Sequence, residues 1–506
     1  MLEITTFYKT WGKRFERFEN VAAIIAILAS SIAIVLIWFP IADTSFDEIC
    51  YTDPAARYVL GKGFTSAAWY AQGPDTFWSS NVPLQQVLLI LWFSVFGVGK
   101  TVAQTANLFY VVLGISILYA AISKSNFIQG AFWRLLFLVF FLGTDVPLGL
   151  STTGRPDALC FLIASVAISA LLEKNIFQRI LLIILVCASS PWASLSLAAA
   201  FAFFGTALLI AYPKMGRADF MAAMLGGLLG SILLFLLYWS HGTLDIFLKS
   251  IVGHTWINNN PESFRADIEF LAAGILRNSS FHLLFLLGCF ASFLLWKKNM
   301  KSSLTEIVLL WVTVLLFPLC MVKVGVFHLH YSWMITIPTA LFLFSIISND
   351  LFKGRVAYAM VVFFIGISLI LPTSHLRKIP WAIMIRDERI EDRNKAHEFV
   401  DSYVTPHDIA VVECQFWYPS VLVAKTVFSA WFAKYLSVKN ANKVTFAILQ
   451  ENKASHEGQT IGFSEFSKLN KNMIVCEEYK RFDSSKNITK FFSYRPINVN
   501  HPIDIR

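Results

Sequence analysis

The sequence predicts an all-α polytopic membrane domain of about eleven transmembrane helices, followed by a smaller C-terminal α/β soluble domain. Three observations predict this fold class. Of the 506 residues, 56% are hydrophobic and only 15% are charged, whereas soluble proteins usually carry about 25% charged residues. The mean hydropathy is +0.59. Uncharged stretches such as 21–41 and 103–122 are long enough to cross about 30 Å of hydrocarbon as helices.

Apolar runs give the helix count, and the basic residues at their ends give the topology. The runs are 21–41, 101–122, 131–150, 158–172, 180–190, 192–211, 221–239, 280–296, 304–321, 332–348 and 356–371. The basic groups are Lys124/Arg134, Lys174/Arg179, Lys214/Arg217, Lys297/Lys298/Lys301 and Lys353/Arg355. The positive-inside rule places these groups in the cytoplasm with the N terminus. Alternation then puts 42–100, 151–157, 240–279, 322–331 and everything after 371 on the outer face.

Two segments must depart from simple spans for this topology to hold. The run from Pro83 to Gly97 is short for a crossing, so we expect a re-entrant or interfacial helix there. The stretch 180–211 must break near Ser189, Ser190 and Pro191 into two short helices, because one continuous span would reverse every later loop.

A change of composition near residue 374 divides the chain into a membrane domain, 1–372, and an outer soluble domain, 373–506. The second part contains helix-like charged sequence and short β-like runs such as DIAVVEC and NKVTFAIL, which indicate an α/β arrangement. A disulfide between Cys414 and Cys476 is compatible with this region if it faces an oxidising compartment.

Two acidic sites lie beside apolar runs on the predicted outer face. Asp47 and Glu48 are adjacent at the start of the first outer loop, 42–100, and Asp157 follows Arg155 in a short loop between two spans. Charges this close to hydrocarbon are costly and usually functional. The three carboxylates suit a general base or a divalent cation site formed by Asp47 and Asp157, with Arg155 contacting an anionic group. The alternative for Asp47 and Glu48 is a solvated loop start.

Several motifs in this region carry a family resemblance. FDE, CYTDPAARYVLGKG, NVPLQQVLLILWFSVFG and GRPDAL occur in that order between Phe46 and Ala170. Together they resemble the membrane glycosyltransferases of the GT-C superfamily, in particular the branch of protein O-mannosyltransferases and lipid A aminoarabinose transferases. One departure is that the family often has PPLYYW-like sequence where this chain has NVPLQQVL. The aromatic contacts expected there are absent, which is compatible with a different acceptor.

The resemblance implies that a sugar carried on a polyprenyl phosphate is transferred at the outer face to a glycan, lipid or protein acceptor. It matches Asp47 to the family's base, with Glu48 and Asp157 shaping the site. A base must remove the acceptor proton and positive charge must stabilise the departing phosphate. The candidates for phosphate binding are Arg155, Arg57, Lys323, His328 and His330. For Lys323 the alternative is a lysine that merely ends a helix.

We therefore expect an integral membrane enzyme, in a bacterial inner membrane, with its site facing the periplasm and in contact with membrane lipid. The formal charge of +9 does not indicate nucleic-acid binding, because the basic residues cluster at the ends of apolar segments. A transporter or flippase is the main rival hypothesis, since intramembrane acids and broken helices also occur in substrate pathways. A non-catalytic assembly or anchoring protein is the third, and it would not require Asp47 or Asp157.

Overall fold

The computed structural model describes most of the membrane domain and the core of the C-terminal part. The described residues are 2–69, 72–211, 213–258, 288, 289, 292, 304–313, 333–348, 366, 375–430, 443–450, 473–482 and 488–496. The predicted spans 280–296 and 356–371 therefore lie outside the described residues, apart from isolated positions. The second half of the run 304–321 lies outside them too.

The described membrane part is helical throughout its apolar runs. Helix α1, Leu2–Ala33, continues through a π-helical turn, Ile34–Trp38, into α2, Phe39–Ile41. The following helices are α3 (Phe46–Val59), α4 (Leu84–Phe96), α5 (Lys100–Ser125), α6 (Ala131–Gly143), α7 (Asp145–Ser151), α8 (Asp157–Leu172), α9 (Ile176–Ala193), α10 (Leu195–Ala211), α11 (Pro213–Ser240), α12 (Leu244–Asn258), α13 (Leu304–Trp311) and α14 (Trp333–Ile346).

Helix length limits how many of these elements can cross a bilayer. Among the described residues, four helices are long and apolar enough: Phe18–Ile41, Lys100–Ser125, Ile176–Ala193 and Arg217–Ser240. A fifth span results if α6 and α7, which meet at a bend of 53°, cross together. The count of about eleven is thus not confirmed. Helix α4 has 13 residues, in agreement with the prediction that Pro83 to Gly97 is no full crossing.

The predicted break within 180–211 exists, but it lies three residues further along the chain than Pro191. Helix α9 continues through Pro191 to Ala193, and Ser194 adopts an extended conformation. Proline has no N–H to donate to the carbonyl four residues earlier, which is that of Cys187. The hydroxyl of Ser190 donates to this carbonyl at 2.9 Å instead. The helix therefore tolerates Pro191, a compensation that the sequence analysis did not anticipate.

Helices α9 and α11 approach each other closely through two glycines. A Cβ atom on Gly226 would overlap the carbonyl oxygen of Ile184, and one on Gly230 would overlap that of Ala188. Small residues spaced by four allow such backbone contact between membrane helices. The indole Nε1 of Trp192 also donates to the carbonyl of Gly230 at 2.8 Å.

Gly230→Ala is expected to lower the stability of the helix pair. The added methyl group meets a backbone carbonyl, which cannot move as a flexible side chain would, and overpacking of this kind costs about 1–3 kcal/mol. The measurement is the apparent thermal midpoint of the purified protein. Gly227→Ala is the matched control, since a Cβ there has no other atom within 4 Å. An equal midpoint for the two variants would contradict the close approach.

The charged residues divide between two opposite ends of the helix bundle. At one end, Nε and Nη2 of Arg134 each donate to the carboxylate of Glu19 at 2.6 Å. Lys124 pairs there with Glu173 at 2.7 Å. At the other end, the ammonium group of Lys100 donates to the carbonyl of Ala42. The predicted cytoplasmic residues Lys124 and Arg134 thus share an end that is opposite to the predicted outer loop.

Which end faces the cytoplasm is a prediction that labelling tests. Lys174 and Lys425 are both exposed. Lys174 follows Glu173 at one end of the bundle. Lys425 follows Ala424, whose carbonyl accepts a hydrogen bond from Lys62 of the loop 42–100, so it lies at the other end. We expect an impermeant maleimide added to intact cells to label Lys425→Cys but not Lys174→Cys. The unsubstituted chain measures labelling of the native cysteines. Labelling of Lys174→Cys from outside would overturn the topology.

The C-terminal part combines helices with a five-stranded mixed sheet. It consists of α15 (His375–Tyr403), β1 (Ile409–Val412), α16 (Cys414–Val423), β2 (Thr426–Ser429), β3 (Phe446–Gln450), β4 (Met473–Phe482) and β5 (Ile488–Pro496). The strand order is β2-β1-β3-β5-β4, with β1 parallel to β2 and β3 and the remaining pairs antiparallel. The α/β character and the two predicted strands are confirmed, whereas the domain boundary stays a prediction. The side chain of Cys476 lies outside the described residues.

Helix α15 attaches the C-terminal part to the end of the first span. The guanidinium of Arg393 donates to the carbonyls of Phe39, at 3.2 Å, and Pro40, at 2.7 Å. These carbonyls belong to α2, where helical hydrogen bonding ends and acceptors are left over. Ala382 of the same helix packs in an apolar cluster with Trp38 and Phe39. The C-terminal part and the loop containing Asp47 therefore lie at the same end of the bundle.

Candidate functional site

Helix α3 presents Asp47 and Glu48 at its first turn. The side chain of Ser45 caps the helix by accepting from the backbone N–H of Glu48 at 3.1 Å. Acidic side chains are favourable at this end of a helix because its dipole is positive there. The two neighbours nevertheless occupy different environments, since the Asp47 side chain is 30% exposed whereas Glu48 is fully buried.

A buried arginine joins the two acidic sites that the sequence singles out. Nε of Arg155 donates to Oδ2 of Asp157 at 2.8 Å, and Nη1 donates to Oδ2 of Asp47. The Arg155 guanidinium also lies over the ring of Tyr51, with its central carbon 5.8 Å from the ring centroid. The structure thus brings Asp47 and Asp157 to one guanidinium. With formal charges of −1, +1 and −1, this group carries one net negative charge.

Amide side chains hold the short loop that carries Arg155. The Asn107 amide donates to the carbonyls of Thr153 and Arg155, the latter at 2.8 Å. Gln104 donates to the carbonyl of Thr152 at 2.7 Å. Gln85 of α4 donates in turn to Oδ1 of Asn107 at 3.0 Å. These amides are not among the predicted site residues, although polar residues within apolar helices are a sequence signal that could have identified them.

Glu48 faces away from Asp47, toward the C-terminal part. The hydroxyl of Tyr418, on α16, donates to Oε1 of Glu48 at 3.1 Å. Burial raises the pKa of Glu48 to about 7, although Lys100, Tyr418, the Ser45 hydrogen bond and Arg393 each oppose the shift. The prediction that Glu48 helps to shape the site stays a prediction. Its side chain does not share the exposed environment of Asp47.

Arg57 forms hydrogen bonds within the loop 42–100. Its Nε donates to the hydroxyl of Thr65 at 2.9 Å, and Nη2 donates to the carbonyl of Pro74 at 3.4 Å. Asp53, one helical turn earlier, accepts from Ser66 and from the backbone N–H groups of Ala67 and Ala68. Burial raises the pKa of Asp53, against the opposing effects of Arg57 and these hydrogen bonds. Arg57 therefore stabilises the loop rather than extending toward Asp47.

Of the five predicted phosphate-binding residues, the structure describes Arg155 and Arg57, which make separate contacts. Arg155 binds two carboxylates of the protein itself, and Arg57 binds the loop. Lys323, His328 and His330 lie outside the described residues. The assignment of Arg155 to a donor phosphate stays a prediction, and its guanidinium is paired with Asp47 and Asp157 in this structure.

The arrangement of Asp47 and Asp157 does not fit a divalent cation. The Arg155 guanidinium lies between them, at the place where an ion bridging the two carboxylates would have to bind. In the described part of the chain, no group of three or more His, Cys, Asp or Glu side chains is arranged to hold a metal ion. We therefore derive no step through a metal.

Comparisons with known proteins give matches to solved structures only. No family model and no curated protein matches the sequence. Solved structures of the oligosaccharyltransferase of Archaeoglobus fulgidus are similar to this chain. The structure of that enzyme with a tethered acceptor peptide matches with a TM-score of 0.44 at 10% identity, and the match covers 98% of this chain and 76% of that one. With an inhibitory peptide and dolichol phosphate, it has a TM-score of 0.42 at 10% identity and covers 97% and 75%.

A third similar structure is the same archaeal enzyme in complex with zinc and sulfate, with a TM-score of 0.42 at 10% identity over 96% of this chain and 74% of that one. The predicted resemblance to the branch of protein O-mannosyltransferases and lipid A aminoarabinose transferases is not confirmed.

Proposed function

We propose that this protein is an integral membrane glycosyltransferase that transfers a sugar from a polyprenyl phosphate to an acceptor hydroxyl. The observation that carries the proposal is the partly exposed carboxylate of Asp47, which forms an ion pair with buried Arg155; Arg155 also pairs with Asp157. This group lies at the end of membrane-length helices, where a lipid-borne donor is within reach. The GT-C motifs that contain Asp47 and Asp157 support the same reaction.

In this proposal Asp47 is the general base. As the acceptor oxygen forms its bond to the anomeric carbon, the carboxylate of Asp47 takes the hydroxyl proton. The bond between the anomeric carbon and the phosphate oxygen breaks, and the phosphate leaves with the electron pair. Arg155 fixes the direction of the Asp47 carboxylate, and Asp157 offsets the positive charge of Arg155 so that Asp47 remains an acceptor.

Lys323, His328 and His330 are our candidates for holding the leaving phosphate, since Arg155 and Arg57 are engaged elsewhere. We infer that the acceptor is a glycan, a lipid or a protein at the outer face, in keeping with the predicted topology. A bacterial inner membrane with a periplasmic site is part of the same proposal.

A donor-cleavage assay tests the function without a known acceptor. Purified protein in nanodiscs is incubated with polyprenyl phosphates that carry different radiolabelled sugars, with and without a membrane fraction as acceptor source. We expect free polyprenyl phosphate to appear, and the label to enter the acceptor fraction. Movement of intact donor across a vesicle membrane without cleavage would instead favour the transporter hypothesis.

A further inference from the structure

Glu48 connects the C-terminal part to the loop that carries Arg155. On one side, Oε1 of Glu48 accepts the hydroxyl of Tyr418, whose side chain is buried in α16. The same hydroxyl lies 3.4 Å from Oγ1 of Thr52, one turn further along α3. Within the described part of the chain, Oε2 of Glu48 has no hydrogen-bond partner although it is buried. A fully buried carboxyl in this setting is costly when charged.

On its other side, Glu48 packs against Gly154, the residue before Arg155. A Cβ atom on Gly154 would lie 2.8 Å from Cγ of Glu48 and 2.7 Å from Cγ2 of Thr52. The absence of a side chain at Gly154 thus allows the backbone of the loop to lie directly on α3. Any outward movement of Glu48 removes the surface on which this loop rests.

We infer that Glu48 is a positioning residue through which Tyr418 of the C-terminal part holds the Arg155 loop against Asp47. The inference rests on the proposed function for its catalytic meaning but not for the contacts themselves. When α16 is docked, Tyr418 contacts Glu48, and Glu48 packs against Gly154. This position of the loop allows Arg155 to bind both Asp47 and Asp157.

The charge of Glu48 sets the direction in which pH acts on this contact. The titratable and charged groups that face it are Lys100 of α5, Arg393 of α15 and Tyr418 of α16. Burial raises the pKa of Glu48 from 4.5 to about 7. Glu48 therefore stays protonated to a higher pH in the docked state than in the opened state. The stabilisation that protonated Glu48 gives to the docked state is fully present below about pH 4.5, and it is lost as the pH rises through about 7.

Hydrogen exchange on the full chain in nanodiscs tests the inference without any substrate. Rates are compared at about pH 6 and about pH 8.5 after correction for intrinsic chemistry. For the wild type we expect the backbone amides of three segments to exchange faster at the higher pH, all three together. These segments are 45–52, 152–156 and 414–423. Glu48→Gln keeps the hydrogen bond from Tyr418 but has no charge, so its exchange in these segments should be slow at both values.

Tyr418→Phe removes the hydroxyl and should raise exchange roughly three- to tenfold in all three segments, as loss of one hydrogen bond implies. Tyr58→Phe is the matched control, because Tyr58 lies on α3, the helix of Glu48, with its side chain exposed. Faster exchange confined to 414–423 would overturn the inference, as would a wild-type pH dependence in Glu48→Gln.

The turnover of the same variants separates positioning from mere stability once donor cleavage is established. We expect Tyr418→Phe to lower kcat with the donor KM nearly unchanged, because Tyr418 does not touch the donor. The pH profile of Glu48→Gln should lose the fall above about pH 7. If no donor is cleaved by any variant, the proposed function fails while the exchange result stands on its own.

Discussion

Asp47→Asn is expected to lower turnover by on the order of a hundredfold or more, with donor binding largely kept. An amide retains the shape of the side chain and can still accept from Arg155, but it does not take a proton from the acceptor hydroxyl. The measurement is a pair of values, donor affinity and single-turnover rate, on purified protein. The loss should appear in the rate alone.

The matched control is Asp75→Asn, which removes an exposed carboxylate from the same loop, 42–100. Its turnover should equal that of the wild type, because Asp75 lies on the solvent side of the loop. Near-normal turnover of Asp47→Asn would remove Asp47 as the base. Equal losses in both variants would point to a general effect of loop charge, such as weaker attraction of a cationic substrate.

The acidic sites could be found from sequence because their signal is local. Asp47 and Asp157 stand out as charges beside long apolar runs, and a single sequence is enough to recognise that cost. The position of Arg155 between them could not be derived in the same way. A guanidinium two residues from Asp157 suits an anionic ligand as well as a carboxylate, and only the fold shows that Asp47 is near enough to be that partner.

The contacts that sequence could not predict are those between distant parts of the chain. Tyr418 is 370 positions from Glu48, and nothing in the sequence around either residue indicates their hydrogen bond. The amides of Gln104 and Asn107 are an intermediate case. They are visible as polar residues in an apolar helix, but their acceptors are backbone carbonyls, which every loop offers.

The exact end of a helix is also hard to predict from sequence when a side-chain contact decides it. Proline and serine at 189–191 correctly predict a break in the apolar stretch 180–211, because proline removes a helical hydrogen bond. The break falls at Ser194 since the Ser190 hydroxyl supplies the missing donor to Cys187. Propensity alone does not decide between a proline that ends a helix and one whose lost bond is replaced by a neighbouring side chain.

Arg155→Ala is expected to destabilise the protein by about 3–5 kcal/mol and to reduce turnover as well. Removing one partner of a buried ion pair leaves an uncompensated charge, here on Asp157, whose side chain is 6% exposed. Asp47 loses the donor that orients it, and the two carboxylates repel each other. Thermal unfolding and donor cleavage, measured on the same preparations, separate the two effects.

Arg179→Ala is the matched control, since Arg179 pairs with Asp219 at 3.0 Å at the opposite end of the bundle. It should lower stability without lowering the turnover of folded protein. Arg155→Ala combined with Asp157→Asn removes the unpaired charge and should recover part of the stability, but not the turnover, because Asp47 remains unsupported. Recovery of turnover in that double variant would mean that Arg155 serves only to neutralise Asp157, and that the direction of the Asp47 carboxylate does not limit the reaction.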